Sequence, residues 1–346
     1  MMDLARWLGV SHPVLQAPMA GVQAHAMAAA VCNAGGLGAL PAAMLSLQML
    51  GEELTALATA TSAPFNVNFF CHTPPRPDTE REAHWREALA PAYREAGIDP
   101  AAISAGPGRA PFSHEVADVV EPFRPAVVSF HFGLPAPDLL ARVKGWGSKV
   151  LASATTVDEA RWLEAHGADA IIAQGIEAGG HRGHFLSDDL STQLGSFALW
   201  PQVVQAVKLP VIAAGGIANP ACVRAAHELG VAGVQIGTAY LLCDEALTSP
   251  LHRAALKTDA PTVLTNVFTG RPARGIVNRA VRDWGPVNPL VPAFPLATAA
   301  IAPLRAWAEA HGHADFTPLW SGQNRSGCRE GNAADLTREF AAAWPV

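Results

Sequence analysis

Residues 210–238 read PVIAAGGIANPACVRAAHELGVAGVQIGT. The segment contains two short apolar runs, 210–214 and 233–236, each followed by glycine, and an alanine-rich stretch with helical periodicity separates them. This order is typical of a βα unit, in which a buried parallel strand leads through a tight turn into a helix. The segment therefore predicts an α/β protein with a parallel sheet.

Six comparable runs precede this segment, and most are bounded by glycine, proline or asparagine. They are residues 14–17, 36–40, 65–69, 126–130, 149–153 and 170–173. Eight runs with room for a helix in each crossover predict a closed (β/α)8 barrel of the TIM type. An open doubly wound sheet is the alternative, but it would normally have fewer strands and a Gly-x-Gly-x-x-Gly turn after the first strand. This chain has APMAG at residues 17–21 instead.

Two regions interrupt the alternation of strands and helices. Residues 73–123 are rich in proline and charge, and residues 244–318 follow the eighth run with helical patterns at 249–258 and 297–311. We expect three parts: a barrel over 1–243, a small helical subdomain over 244–318 that covers the active site, and a C-terminal segment over 319–346 that returns to the barrel.

The composition excludes several classes of function. The net charge is −6 and the 20 Arg and 4 Lys residues are scattered, so the chain has no basic stripe that would bind nucleic acid. The first residues do not resemble a signal peptide and no run reaches about 18 uninterrupted apolar residues, so we expect a cytoplasmic protein outside the membrane. The five cysteines form no C-x-x-C pair and are expected to be reduced.

Glycine follows the last two runs, at Gly215, Gly216 and Gly237, and Thr238 comes next. Glycines let backbone N–H groups approach an anion closely, and the helix that follows adds the partial positive charge of its N-terminus. Tight turns alone would also explain these glycines. Both loops, however, stand where barrel enzymes commonly bind phosphate, which favours a phosphate site.

The sixth run is followed by EAGGHRGH (residues 177–184). Its glycines allow a planar ligand to approach the backbone, and His181 supplies a group that titrates near neutrality. A zinc site made of Glu177, His181 and His184 is not expected, because the glycines oppose the helix that would align these ligands. No Lys, Asp or Glu stands at the ends of the runs, which argues against Schiff-base aldolases, glycosidases and carboxylate-bound metals.

Seven motifs spread over the chain resemble those of the class I group of nitronate monooxygenases. They are QAPMAG (16–21), AGGLG (34–38), NVNFF (66–70), AQGIEAGGHRG (173–183), AAGGI (213–217), QIGT (235–238) and WSGQ (320–323). The resemblance implies an FMN-dependent enzyme in which the predicted barrel binds the flavin. It further implies that dioxygen oxidises alkyl nitronates, and nitroalkanes, to carbonyl compounds and nitrite.

The resemblance also assigns roles to residues. His181 matches the family's active-site histidine, which removes the α-proton of a nitroalkane or hydrogen-bonds a nitronate. His131, Phe294 and Trp320 are expected in the substrate pocket. The cofactor is expected to contact Gln16, Ala17, Pro18, Met19, Asn68, Gln174, Gly179, Gly180, Gly215, Gly216, Gln235, Gly237 and Thr238.

The chain departs from the family in the C-terminal part, where class I members carry tyrosines and a lysine in the substrate pocket. No Tyr or Lys lies between Trp284 and Arg305, and Phe294, Thr298 and Ala302 stand in that neighbourhood. The resemblance therefore predicts a more apolar pocket that accepts larger alkyl nitronates.

Two other functions are compatible with these motifs. Flavin-dependent enoyl-acyl carrier protein reductases and related quinone reductases share the EAGGH loop, so an NAD(P)H-dependent FMN reductase is the first alternative; WSGQ and NVNFF favour nitronate chemistry. A non-catalytic flavin-binding protein is the second alternative. The expected partners are a small nitronate and dioxygen, with no metal, and the sequence is compatible with a homodimer.

Overall fold

The computed structural model describes residues 2–103 and 108–345. It contains 11 strands in these ranges: β1 (Val14–Gln16), β2 (Ala39–Pro41), β3 (Asn66–Phe70), β4 (Val127–His131), β5 (Lys149–Ala154), β6 (Ala170–Gln174), β7 (Gly180–His181), β8 (Val211–Ala214), β9 (Gly233–Ile236), β10 (Thr262–Thr265) and β11 (Ala273–Ile276). The α-helices are α1 (Leu4–Leu8), α2 (His25–Asn33), α3 (Leu47–Ala60), α4 (Thr79–Ala96), α5 (His114–Val120), α6 (Pro137–Gly145), α7 (Val157–Ala165), α8 (Ser196–Ala206), α9 (Pro220–Glu228), α10 (Pro250–Leu256), α11 (Arg279–Trp284), α12 (Ala297–Ala310) and α13 (Ala333–Ala342).

Eight of these strands form one parallel sheet, in the order β1-β9-β8-β6-β5-β4-β3-β2. A parallel bridge between Leu15 and Leu37 joins the two ends of the sheet. Across it, the Gln16 amide donates to the Leu37 carbonyl at 3.0 Å and the Leu37 amide donates to the Val14 carbonyl at 2.9 Å. The predicted (β/α)8 barrel is confirmed, and each predicted run overlaps one barrel strand.

The barrel core follows from the two-residue period of its strands. On β6, Ala170 and Ile172 pack inside the barrel, whereas Ile171 and Ala173 belong to the apolar layer between the strands and the outer helices. Leu4 and Leu8 of α1 join the interior cluster, so this short helix closes the N-terminal end of the barrel. The active site is therefore expected at the opposite end, where the strands have their C-terminal residues.

The segment after β9 contains the two predicted helical stretches as α10 and α12, together with a strand pair that the sequence pattern does not indicate. Between α10 and α11 it contains the antiparallel pair β10 and β11, and β11 also pairs with β7 of the barrel loop, where Ala273 stands opposite His181. Both strands of the pair have only four residues, and β11 carries the buried Arg274, which obscured the strand pattern. The domain boundaries at 243 and 318 stay predictions.

The roof over the barrel comes from two parts of the sequence. Helix α4, which lies in the first irregular region, packs against α12 of the second. Trp85 and Tyr93 of α4 share an apolar cluster with Ile301 and Leu304 of α12, and the Tyr93 hydroxyl donates to the Ala300 carbonyl at 2.5 Å. The sequence pattern does not indicate that α4 is part of this roof.

The C-terminal residues lie on the outside of the barrel. Helix α13 contacts α2 and α9, and Phe340 packs in the outer apolar layer. The hydroxyls of Tyr240 and Thr337 lie 2.8 Å apart and connect this helix to the segment after β9. Across residues 2–103 and 108–345, no helix is both long enough and apolar enough to cross a membrane.

Candidate active site

A cavity of about 410 Å3 opens at the C-terminal end of the barrel. Every barrel strand contributes to its wall, either by a residue of the strand or by one immediately after it. In chain order, these contributions include Ala17, Pro41, Asn68, Ser129, Ser153, Gln174, Ala214 and Gln235. The cavity therefore occupies the position at which barrel enzymes carry out their chemistry.

The structure brings nearly all of the predicted site residues together around this cavity. Those in its wall are Ala17, Pro18, Met19, Asn68, His131, Gln174, Gly179, Gly180, His181, Gly215, Gly216, Gln235, Gly237, Thr238 and Trp320. Gln16 and Phe294 are not among them. Gln16 is buried, and its side-chain oxygen accepts from the Ala39 amide at 3.0 Å, so it connects β1 with β2 instead of facing the cavity.

One end of the cavity is built to bind an anion. Gly215 and Gly216 have φ values of 104° and 74°, which favour glycine strongly. The amides of these two residues and of Gly237 and Thr238 donate to no protein acceptor in the described parts of the chain. Four unpaired donors beside the loop that leads into α9 fit a phosphate group.

His181 is held by hydrogen bonds from several elements. Its carbonyl accepts from the Gln174 side chain at 3.0 Å and from His131 Nε2 at 3.2 Å. The Gln174 side-chain oxygen in turn accepts from the Gly183 amide at 2.8 Å. Gln174 thus uses both ends of its amide to fix the loop after β6, while β7 fixes the same loop to β11.

The His181 ring has one neighbour that determines its tautomer. Its Nε2 lies 2.9 Å from Thr269 Oγ1, whose hydroxyl donates to the Arg271 carbonyl at 3.3 Å. Because the threonine proton is used there, we assign the ring proton to Nε2, which donates to Thr269. Nδ1, which has no partner among residues 2–103 and 108–345, is then free to accept a proton.

Burial lowers the pKa of His181 well below its ordinary value, and the nearby positive charge of Arg109 lowers it further. Four aromatic rings create much of this burial: their centroids lie 5.4 to 6.1 Å from that of His181, and they belong to Phe70, Phe132, Phe294 and Trp320. Phe294 therefore borders the histidine although it lies outside the cavity wall. The imidazole is neutral at pH 7 and able to act as a base.

Arg109 is a site residue that the sequence analysis missed. It lines the cavity, its guanidinium carbon lies 5.6 Å from the centre of the Phe294 ring, and its Nη1 is buried without an acceptor in the part of the chain described. The signal in the sequence was indirect: residues 73–123 connect two barrel strands and pass over their C-terminal ends. His252 was missed as well; it lines the cavity and its Nε2 lies 3.0 Å from the Trp320 carbonyl.

The electrostatics of the cavity favour a negatively charged ligand. Arg109 and Arg305 line it, whereas the described residues of its wall include no Asp or Glu. They include no Tyr or Lys either. The two tyrosines of the chain are buried elsewhere, where Tyr93 bonds to α12 and Tyr240 to α13.

Gly179 lines the cavity, and the packing of the chain gives a further reason for glycine at this position. A Cβ at this position would lie 2.5 Å from the Gly322 nitrogen and 2.6 Å from the Ser321 carbonyl carbon. The WSGQ segment therefore packs directly on the loop after β6, and the Gln323 amide donates to the Glu177 carbonyl at 2.9 Å. Gly179 makes room for protein backbone at the edge of the cavity.

Glu177 and His184 of this loop do not line the cavity. The Glu177 carboxylate accepts from the amide of Ser196 at 2.8 Å and from its hydroxyl at 2.7 Å, so it caps α8. His184 is buried and lies 3.5 Å from Asp188. Over the described ranges, no group of three or more His, Cys, Asp or Glu side chains is arranged to hold a metal ion.

The cavity also fits a ligand with polar ring edges. Gln235 lines the wall, and its Oε1 is buried with no hydrogen-bond partner in the described structure. The Asn68 amide nitrogen donates to Ser129, which leaves the Asn68 oxygen available as an acceptor. Unpaired acceptors near the barrel axis and unpaired amide donors at β8 and β9 match a molecule that has both N–H groups and a phosphate.

Comparison with known proteins agrees with this geometry. The family model described as "Nitronate monooxygenase" matches residues 3–342. The chain is 41% identical to a nitronate monooxygenase from Pseudomonas aeruginosa, covering 96% of each chain. It is 40% identical to one from Paraburkholderia phytofirmans, covering 96% of this chain and 92% of the relative. Its structure is similar to that of a nitroalkane oxidase from Streptomyces ansochromogenes, with a TM-score of 0.89 and 38% identity over 98% of this chain and 97% of the other.

The family match covers the barrel, the insertion after β9 and helix α13. It includes the His181 loop and the glycines that follow β8 and β9. The chain belongs to the nitronate monooxygenase family and is a flavin-dependent oxidoreductase.

Proposed function

We propose that the protein uses FMN to oxidise alkyl nitronates with dioxygen, giving carbonyl compounds and nitrite, and that it also accepts nitroalkanes. The observation that carries this proposal is the position of His181, which is neutral and desolvated, at the edge of a cavity with an anion site. Among the residues that the structure describes, no Asp or Glu lines this cavity. A nitronate is an anion, and a nitroalkane becomes one when it loses its α-proton. The cavity has a group suited to each form.

FMN would bind with its phosphate at the glycine loops after β8 and β9. The amides of Gly215, Gly216, Gly237 and Thr238 supply the donors. Asn68 and Gln235 would bond to the polar edges of the flavin ring, and Gln235 would thereby gain the partner that its buried oxygen lacks. When bound, FMN would supply the redox chemistry between the nitronate and dioxygen. Two nitronate anions and one dioxygen give two carbonyl compounds and two nitrite ions, so that atoms and electrons balance.

His181 would act on the α-carbon of a neutral nitroalkane. Nδ1 accepts the proton, while the bond from Nε2 to Thr269 holds the ring in place. Burial keeps the imidazole neutral before the reaction, and the rings of Phe294 and Trp320 pack against it. With a nitronate, the α-proton is already absent and no proton is transferred to Nδ1.

The experiment that tests the proposal is turnover of ethyl nitronate by purified protein, followed by oxygen consumption and nitrite formation. The cofactor is released by denaturation and identified in the same preparation. We expect FMN, oxygen uptake and nitrite. Oxidation of NADH or NADPH with a quinone or an enoyl thioester as acceptor, without nitronate turnover, would support the flavin reductase instead. Bound FMN with neither activity would support the non-catalytic flavin-binding protein.

A further inference from the structure

A second cavity, of about 290 Å3, lies next to the first. It is enclosed mainly by α4 and by the segment that leads into and along α12. Trp85 of α4 and Leu296, Ala299 and Ala302 of the α12 segment give it largely apolar walls, and the charged side chains that also line it are Glu82, Arg86 and Arg109. Its size is close to that of the smaller ligand pockets in proteins, which begin at about 300 Å3.

Small side chains on one face of α12 keep this cavity open. Thr298, Ala299 and Ala302 all line it, and the spacing of 298 and 302 places these two residues one above the other on the helix. They stand in the part of the sequence that departs from the family pattern of tyrosines and lysine. Side chains of that size on this face would fill the space between α12 and Trp85.

The two cavities share part of their walls. Met44 and Arg109 line both of them. The Arg109 guanidinium carbon lies 5.6 Å from the Phe294 ring centre, and that ring centre lies 5.4 Å from the His181 ring. A ligand whose reacting group is beside His181 therefore reaches the second cavity by passing Arg109.

Arg109 is suited to hold the charged end of such a ligand. Its Nη1 is buried and has no acceptor in the described chain, so a neighbouring anion would satisfy it. The apolar space beyond Arg109 is suited to a hydrocarbon group. A ligand that follows this route meets the base His181 first, then the cation Arg109, and then the second cavity.

We propose that the second cavity binds the hydrocarbon substituent of the substrate, so that the enzyme prefers nitronates with long apolar chains over short ones. This inference rests on the proposed function and adds the substrate class. The anionic nitronate group lies between His181 and Arg109, and its chain extends along α12.

Straight-chain carboxylates test the proposal, because they resemble nitronates in charge and shape but do not react. Binding of butanoate, hexanoate and octanoate to the flavin-loaded protein is measured by calorimetry. Burying each methylene group tightens binding by at most about fourfold. We expect octanoate to bind at least about tenfold more tightly than butanoate. Equal affinity for the three acids would overturn the proposal.

Two matched variants of α12 test whether the hydrocarbon chain of the ligand occupies the second cavity. Ala302 and Ala306 are both exposed on α12, but Ala302 lines the second cavity and Ala306 lines neither cavity. Ala302→Phe places a ring against the second cavity, whereas Ala306→Phe adds the same ring elsewhere on the helix. Ala302→Phe should remove the advantage of octanoate and leave butanoate binding within about twofold, and Ala306→Phe should change neither. If octanoate keeps its advantage in Ala302→Phe, or if both acids weaken equally, the chain does not occupy this cavity.

Loss of fold in the variants is detected from their melting temperature and flavin content. The chain-length dependence of the unmodified protein needs no variant and decides the proposal by itself. Turnover of ethyl nitronate is measured separately. Its absence would refute the proposed function, whereas the calorimetry reports on the second cavity alone.

Discussion

Replacement of His181 by Asn should separate the two forms of the substrate. Asparagine keeps a polar side chain of similar size in the aromatic surroundings of the site but cannot accept the α-proton. Because burial lowers the pKa of His181 well below its ordinary value, the whole population of this base is deprotonated at pH 7. The same shift makes the imidazole a weaker proton acceptor, so its loss should cost no more than the usual contribution of a general base, which is about 10²- to 10⁴-fold, or about 3–5 kcal/mol.

A preformed nitronate should be affected much less by the same change. It has no α-proton to lose, and His181, whose proton is used on Thr269, donates no hydrogen bond to it. The substitution therefore changes at most one polar contact beside the anion. A hydrogen bond contributes about 0.5–1.5 kcal/mol, which corresponds to a decrease in kcat/KM of roughly 2- to 13-fold. The ratio of the two effects, and not their absolute size, identifies the base.

The assay is kcat/KM for nitroethane and for ethyl nitronate at the same pH, from oxygen consumption, with FMN content measured in each preparation. His166→Asn is a matched control, because His166 is exposed and stacks on Trp162 beside α7, away from the cavity. It should leave both activities unchanged. Full nitroethane activity in His181→Asn, or equal loss of both activities with flavin still bound, would refute the assignment of the base.

Three further predictions follow from the structure. Thr269→Val removes the acceptor of His181 Nε2–H and should lower nitroethane kcat/KM by about 3- to 10-fold with little effect on ethyl nitronate, while Thr269→Ser restores it. Gly179→Ala should lower the free energy of unfolding by about 1–3 kcal/mol, because its Cβ would meet the Gly322 backbone at 2.5 Å, whereas Gly145→Ala, with no atom within 4 Å, should not. Burial, followed by the positive charge of Arg271, lowers the pKa of His184 to about 4. In the unfolded protein this histidine has its ordinary pKa of about 6.5, so on acidification it takes up a proton in the unfolded state before the folded state. Its full contribution to the free energy of unfolding is therefore present above about pH 6.5 and should be lost as the pH falls towards 4. At pH 5 the loss from this group is about 2 kcal/mol, and denaturant unfolding of His184→Gln at pH 7.5 and 5 should show a smaller difference than the unmodified protein.

The barrel could be predicted from the sequence because each of its strands is short, apolar and bounded by turn residues. On β6, four consecutive apolar residues are buried from both sides of the sheet, which produces a continuous run in the sequence. The pair β10 and β11 lacks this signal. Its strands are partly polar. The buried Arg274 guanidinium donates to the Ile176 carbonyl at 2.8 Å, and this partner lies 98 residues away in the sequence. Such long-range pairing leaves no local pattern.

The site residues could be predicted where they stand at the ends of strands. The prediction fails where the role of a residue depends on the direction of its side chain. Glycine after β8 and β9 has few explanations, and both loops reach the cavity. Gln16 also stands at a strand end, but its side chain faces Ala39, and the sequence does not distinguish these two directions. Arg109 and the second cavity depend on the packing of α4 against α12, which brings together residues more than 180 positions apart.

The central claim is tested most directly by the visible spectrum of the purified protein under anaerobic conditions. We expect yellow protein whose flavin absorbance is bleached by ethyl nitronate and returns when air is admitted, and which NADH and NADPH do not bleach. Colourless protein that does not take up FMN would contradict the account. So would a flavin that NADH or NADPH reduces while ethyl nitronate leaves it oxidised.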